Sequence, residues 1–192
     1  MEFPKIKRGD VFGTGNPMAL GKAINFMQGI WARDSKSVYS HSGILTDEKG
    51  NTFEALWTIT RQNLFEAYEG KPIVIARYKF SAEVMEIVDD VLEGNPEIDP
   101  KVIDKALKEL EGSYEGKWYP GWRLFMHLIP PVAKLSVFKL PVCSELTAKY
   151  AWLIGARHGQ WLGTNPDTLA DEWHNWKNCE IIFEGICPVN LF

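Results

Sequence analysis

Val38-Tyr39-Ser40-His41-Ser42-Gly43-Ile44-Leu45, the turn residues Asp47-Glu48-Lys49-Gly50, and Thr52-Phe53-Glu54-Ala55-Leu56-Trp57 read as two strands of a hairpin. β-Branched and aromatic residues fill both runs, and Asp and Gly punctuate them. A hairpin pairs its strands antiparallel, so this stretch argues for an antiparallel sheet rather than a parallel one. Side chains alternate faces along each strand, and any odd register across the turn puts His41 and Glu54 on one face, side by side or on a diagonal.

Working outward, Asp10-Val11-Phe12 reads as a short strand and Gly13-Thr14-Gly15-Asn16-Pro17 as a turn, with a helix from about Met18 to Ile30. The turn invites comparison with a dinucleotide-binding loop. Met18 occupies the place of that fingerprint's third glycine, however, and no βαβ unit follows, so the comparison fails. Pro72-Ile73-Val74-Ile75-Ala76-Arg77-Tyr78 is a further strand. The middle is helical: Ala82 to Leu92 carries Val84, Ile87, Val88 and Val91 at helical spacing, and Asp99-Pro100 caps a helix to about Leu110, ended by Gly112. A third helix spans roughly Gly121 to Leu128, before Pro130-Pro131, and Leu135-Ser136-Val137-Phe138 is strand-like. Helices from Cys143 to Ile154 and from Pro166 to Trp173, then a strand at Cys179 to Phe183, complete the pattern. Early strands, middle helices and a final strand predict one α+β domain over residues 1–192, with a largely antiparallel sheet packed against helices.

Composition narrows the classes of function. The 192 residues are 45% hydrophobic and 24% charged, an ordinary globular balance. A net charge of −4 and the lack of a Lys/Arg cluster disfavour nucleic acid and anionic membranes as partners. Eight Trp, six Tyr and ten Phe could serve the core or line a groove for an apolar or ring-bearing ligand. Met1-Glu2-Phe3-Pro4-Lys5-Ile6-Lys7-Arg8 has no apolar export core, and no stretch approaches about 20 apolar residues, so the expectation is a cytoplasmic protein with no transmembrane segment. Three cysteines, Cys143, Cys179 and Cys187, suit reduced thiols in such a compartment, with a Cys179–Cys187 bridge left open.

Cys143 sits at the mouth of an amphipathic helix, where unpaired backbone N–H groups favour negative charge. A thiol reacts as its thiolate, and an unperturbed one is only ~3% ionised at pH 7. Cys143 is therefore a candidate nucleophile, although a lone cysteine reads equally as a small buried core residue. Nucleophilic chemistry needs a base within hydrogen-bond reach and a third group to orient that base. His41 and Glu54 supply both if they share a face. Of the other histidines, His127 lies among apolar neighbours, and His158 and His174 lie in polar segments. His158, His174, Cys179 and Cys187 lack the tight spacing of a zinc site, so no metal or cofactor is expected.

Gly9-Asp10 before a strand, Ser40-His41-Ser42-Gly43-Ile44, Phe53-Glu54-Ala55, Ile73-Val74-Ile75-Ala76-Arg77 and Val142-Cys143-Ser144-Glu145-Leu146 occur in an order that resembles the circularly permuted branch of the NlpC superfamily of papain-like hydrolases, the YiiX-like proteins. In ordinary papain-like enzymes the cysteine helix precedes the histidine strand, whereas here histidine, then acid, then cysteine run along the chain. The resemblance implies a permuted papain-like fold with Cys143 as nucleophile, His41 as base and Glu54 orienting His41. It further implies a cysteine hydrolase acting on a peptide, small-molecule or acyl substrate. The same superfamily includes lipid-directed acyl-transfer enzymes and thioesterases, and a non-catalytic binding module could keep the fold. Such proteins often carry Gly-x-x-Tyr-Asp before the cysteine helix; here Gly116-Lys117-Trp118-Tyr119 is followed by Pro120. Tyr119 thus stands as a substrate-binding candidate without its Asp neighbour.

Overall fold

The computed structural model describes residues 3–15, 39–56, 58–79, 97–118 and 140–189. In chain order these hold β1 (Val11–Thr14), β2 (His41–Leu45), β3 (Thr52–Ala55), β4 (Ile59–Thr60), α1 (Leu64–Ala67), β5 (Pro72–Tyr78), α2 (Pro100–Tyr114), α3 (Cys143–Leu153), α4 (Pro166–Asn175) and β6 (Cys179–Ile186). The six strands make one sheet, ordered β4-β3-β2-β1-β5-β6, with every neighbouring pair antiparallel. The α+β expectation and its antiparallel sheet match this architecture. The helices expected at 18–30, 82–92 and 121–128, the strand at 135–138, and Tyr119 and His127 lie outside the described residues.

The hairpin forms where its turn chemistry puts it. Asp47 Oδ1 accepts from the Lys49 and Asn51 N–H groups at 2.9 and 3.0 Å, closing the turn through a side chain. The pairing is Gly43 opposite Glu54, Ile44 opposite Phe53 and Leu45 opposite Thr52. Glu54 thus stands diagonal to His41 on the same face.

Both faces of the sheet are covered, which explains why the central strands β1 and β5 are apolar in nearly continuous runs. Val11, Ile44, Phe53, Val74 and Ala76 pack under α2, α3 and α4 through Leu107, Leu110, Leu146, Tyr150, Leu169 and Trp173. Phe12, Leu45, Ile73 and Ile75 face the opposite way, onto Ile6, Leu64, Phe65, Tyr68 and Cys187. Burying a large apolar side chain contributes about 1.5–3 kcal/mol, so these two layers dominate the favourable side of folding.

Several boundaries differ from expectation: Gly13 and Thr14, expected in a turn, belong to β1, and β2 and β3 are shorter than their apolar runs. Gly112 does not end α2, which continues to Tyr114. A glycine inside a helix costs only about 1 kcal/mol relative to alanine, whereas Gly116, at φ 73°, supplies the left-handed turn that stops it. α4 extends to Asn175 and β6 to Ile186, beyond the ends that their apolar residues suggested. The elements β4 and α1, two and four residues long, are too short to show a period.

Candidate functional site

α3 begins without a side-chain cap. Val142 at the N-cap makes no side-chain hydrogen bond, and the buried Glu145 instead turns back to accept the Val142 N–H at 3.1 Å. The other oxygen of Glu145 accepts the Gly163 N–H at 2.9 Å, and Ser144 donates to the Thr164 carbonyl at 2.6 Å. These two residues therefore clamp the loop before α4 to the first turn of α3. Cys143, the first residue of α3, follows a cap that contributes no acceptor of its own, so its end of the helix presents partial positive charge.

His41 opens β2 and is almost fully buried, with 2% exposure; Glu54 has none. His41 Nε2 and Glu54 Oε2 are 2.5 Å apart. Burial opposes ionisation of Glu54, but His41, Thr52 and Tyr68 outweigh it and hold the carboxyl below its ordinary pKa. An ionised carboxylate only accepts, so His41 donates its Nε2–H and turns Nδ1 away from Glu54. The Cys143 thiol lies within hydrogen-bonding and charge-interaction reach of His41. Burial pushes the imidazole pKa down, yet Cys143 first and Glu54 second overcome it and raise the pKa to about 10. With Nε2 committed to Glu54, Nδ1 is the nitrogen left for the thiol.

The structure thus brings Cys143, His41 and Glu54 together around the start of β2. Ser42, the next residue, points to the opposite face. Thr147 Oγ1 donates to the Cys143 carbonyl at 3.1 Å, so at the 3.1 Å contact between the two hydroxyls Ser42 is the donor. Consecutive residues of β2 consequently hold the imidazole and the cysteine-bearing turn. Gly43 makes the diagonal possible: a Cβ there would lie 2.6 Å from Phe12 Cε1 and 2.9 Å from Glu54 Cβ.

Sequence reasoning missed two residues that touch Glu54. Thr52 donates to Oε1 and Tyr68 to Oε2, each at 2.5 Å. Thr52 lies two residues before Glu54 on β3 and so shares its face, a signal available in the sequence; Tyr68 caps α1, which carried none. Tyr68 also stacks obliquely 5.8 Å from the His41 ring, and Phe12 approaches it edge-on at 6.2 Å.

The remaining candidates lie apart. Cys179 and Cys187 are free thiols at the start of β6 and just past its end, roughly 26 Å apart at strand rise, so no bridge joins them. His174 contacts the Ala170 carbonyl at 2.7 Å and Glu184 at 3.3 Å. Trp118, the last described residue before Tyr119, is 78% exposed. Among the described residues no group of three or more His, Cys, Asp and Glu side chains is placed to hold a metal ion, and no helix is long and apolar enough to cross a membrane.

No family model and no curated protein matches the chain. Among solved structures it is similar to metalloprotein YiiX from Escherichia coli O157:H7, at a TM-score of 0.53 and 16% identity over 94% of this chain and 98% of that one. At this identity the likeness is one of architecture, and the chain has a YiiX-like fold.

Proposed function

We propose that the protein is a cysteine hydrolase, an amidase or peptidase of permuted papain-like type, in which Cys143 is the nucleophile, His41 the base and Glu54 the group that orients His41. The observation that carries the reading is the buried chain in which Glu54 takes one imidazole nitrogen of His41 and leaves the other to Cys143, at a helix start whose N-cap residue offers no side-chain acceptor. His41 takes the thiol proton, and Cys143 Sγ attacks an acyl carbon, forming a C–S bond, while the Cys143 N–H at the helix start supports the oxyanion. His41 gives its proton to the leaving amine as the C–N bond breaks. It then takes a proton from water, which attacks the thioester and releases the acid and the thiolate.

The metal of the metalloprotein YiiX has no counterpart in this mechanism. His41 Nε2 and Glu54 Oε2 are hydrogen-bonded to each other, and among the described residues no group of three or more His, Cys, Asp and Glu side chains is placed to hold a metal ion.

The test is alkylation by iodoacetamide at pH 6.5 with mass-spectrometric mapping. Cys143 reacts far faster than Cys179 or Cys187, and His41→Ala, expected to cost ~10²–10⁴-fold in turnover, removes the advantage. Equal labelling of the three thiols would leave only a non-catalytic binding module. A screen of peptide amides against fatty-acyl esters then fixes the chemistry: turnover of esters alone selects the lipid-directed thioesterase or acyltransferase instead.

A further inference from the structure

Glu54 accepts three side-chain hydrogen bonds, and its partners form a chain whose proton directions can be worked out. The carboxylate accepts from His41 Nε2–H and from the Tyr68 hydroxyl on one oxygen, and from the Thr52 hydroxyl on the other. Tyr68 has a single proton, committed to Glu54, so its oxygen is free to accept, and Gln62 Nε2 donates to it at 3.0 Å. Thr52 Oγ1 also lies 3.0 Å from the Gln62 carbonyl, but the charged oxygen at 2.5 Å is the stronger claim on its proton. Tyr68 is 1% exposed and Thr52 is fully buried, so water does not compete for these bonds.

We propose that Tyr68 and Thr52 are positioning residues that keep Glu54 an ionised acceptor and thereby hold the His41 ring with its Nε2–H on Glu54 and Nδ1 toward Cys143. The inference rests on the reading of His41 as the base for Cys143. Its physical content is a contest for one proton. The proton between His41 and Glu54 stays on the imidazole only while the carboxylate is the weaker base, and in a dry site each hydroxyl donor lowers that basicity. Tyr68 donates to the same oxygen as His41, so its loss both strengthens that oxygen as a base and frees it to swing. Thr52 fixes the other oxygen and thus the plane of the carboxylate. Packing alone would account for a phenylalanine at 68 and a valine at 52; the hydroxyls are the part that packing leaves over.

The experiment measures the alkylation rate of Cys143 from pH 5 to 10 in the wild type, Tyr68→Phe, Thr52→Val and Thr52→Ser. A downfield ring N–H resonance is followed by NMR and assigned to His41 by its absence in His41→Ala. Hydrogen bonds to a charged group justify a fall of about 10-fold in alkylation at pH 6.5 for Tyr68→Phe, with a displaced pH profile and a moved resonance. Thr52→Val acts in the same direction and Thr52→Ser, which keeps the donor, stays within about twofold of wild type. Should Tyr68→Phe not fold, the Thr52 pair decides alone. Profiles and resonance unchanged in folded Tyr68→Phe or Thr52→Val overturn the proposal while leaving Cys143 fast in the wild type. A slow Cys143 in the wild type removes the hydrolase reading itself.

Discussion

Replacing Cys143 by alanine should change how stability depends on pH in one narrow alkaline window. The folded pKa of His41, about 10, lies above the ordinary 6.5, so its contribution is complete below pH 6.5, declines as pH rises and is gone above about 10. The neighbouring thiol complicates the lower part of that range, because an unfolded cysteine still holds a proton until about pH 8.5. Between about 8.5 and 10 the count is simple: the folded pair keeps at least the imidazolium proton, and the unfolded chain holds neither. One proton across that 1.5-unit window, at 1.36 kcal/mol per unit, is about 2 kcal/mol of stability lost. In Cys143→Ala the strongest support for the imidazolium is absent, so the His41 pKa should fall and this loss should shrink. Burial raises Cys179 and Cys187 to about 12 and 11, so they add their own alkaline slope, equally in both proteins. The measurement is therefore the difference between wild type and variant in urea unfolding at pH 8.5 and 10, with an NMR titration of His41. Parallel stability curves, or a wild-type His41 titrating near 6.5, would refute the reasoning.

Gly43→Ala should cost about 1–3 kcal/mol, because the new Cβ meets Phe12 and the Glu54 stem inside ordinary contact distance. It should also slow Cys143 alkylation by moving Glu54 off the diagonal; urea unfolding and the alkylation assay check the two parts separately. With burial raising their pKa values, Cys179 and Cys187 should remain slow toward iodoacetamide at pH 7 and accelerate only well into the alkaline range, seen by peptide mapping across pH.

The hairpin was readable because its determinants are local. Asp47 and Gly50 announce the turn, period two gives the faces, and together they predict His41 beside Glu54 without knowing the rest of the fold. The cysteine helix was readable for the same reason, expected from Cys143 to Ile154 and found over Cys143–Leu153. Its meeting with His41 was not local, and only the order of motifs along the chain suggested it. Tyr68 was invisible: α1 is a single turn capped by Asn63, and nothing in Leu64-Phe65-Glu66-Ala67 tells that the next residue reaches Glu54. Gly112 misled because a glycine's cost inside a helix is small against the packing of Ala106, Leu107, Leu110 and Tyr114 on the core.

The alternation along β2 also bears on what in this protein is free to change. His41 and Ser42 are adjacent, and one carries the imidazole while the other reaches the Cys143 turn through Thr147. The spacing of the imidazole and the cysteine is thus set by one peptide unit and two short side-chain links. Peripheral loops can be lengthened, exchanged or reshaped for a new ligand without resetting that spacing, whereas a one-residue slip of β2 would exchange the two roles and leave neither group where it is needed.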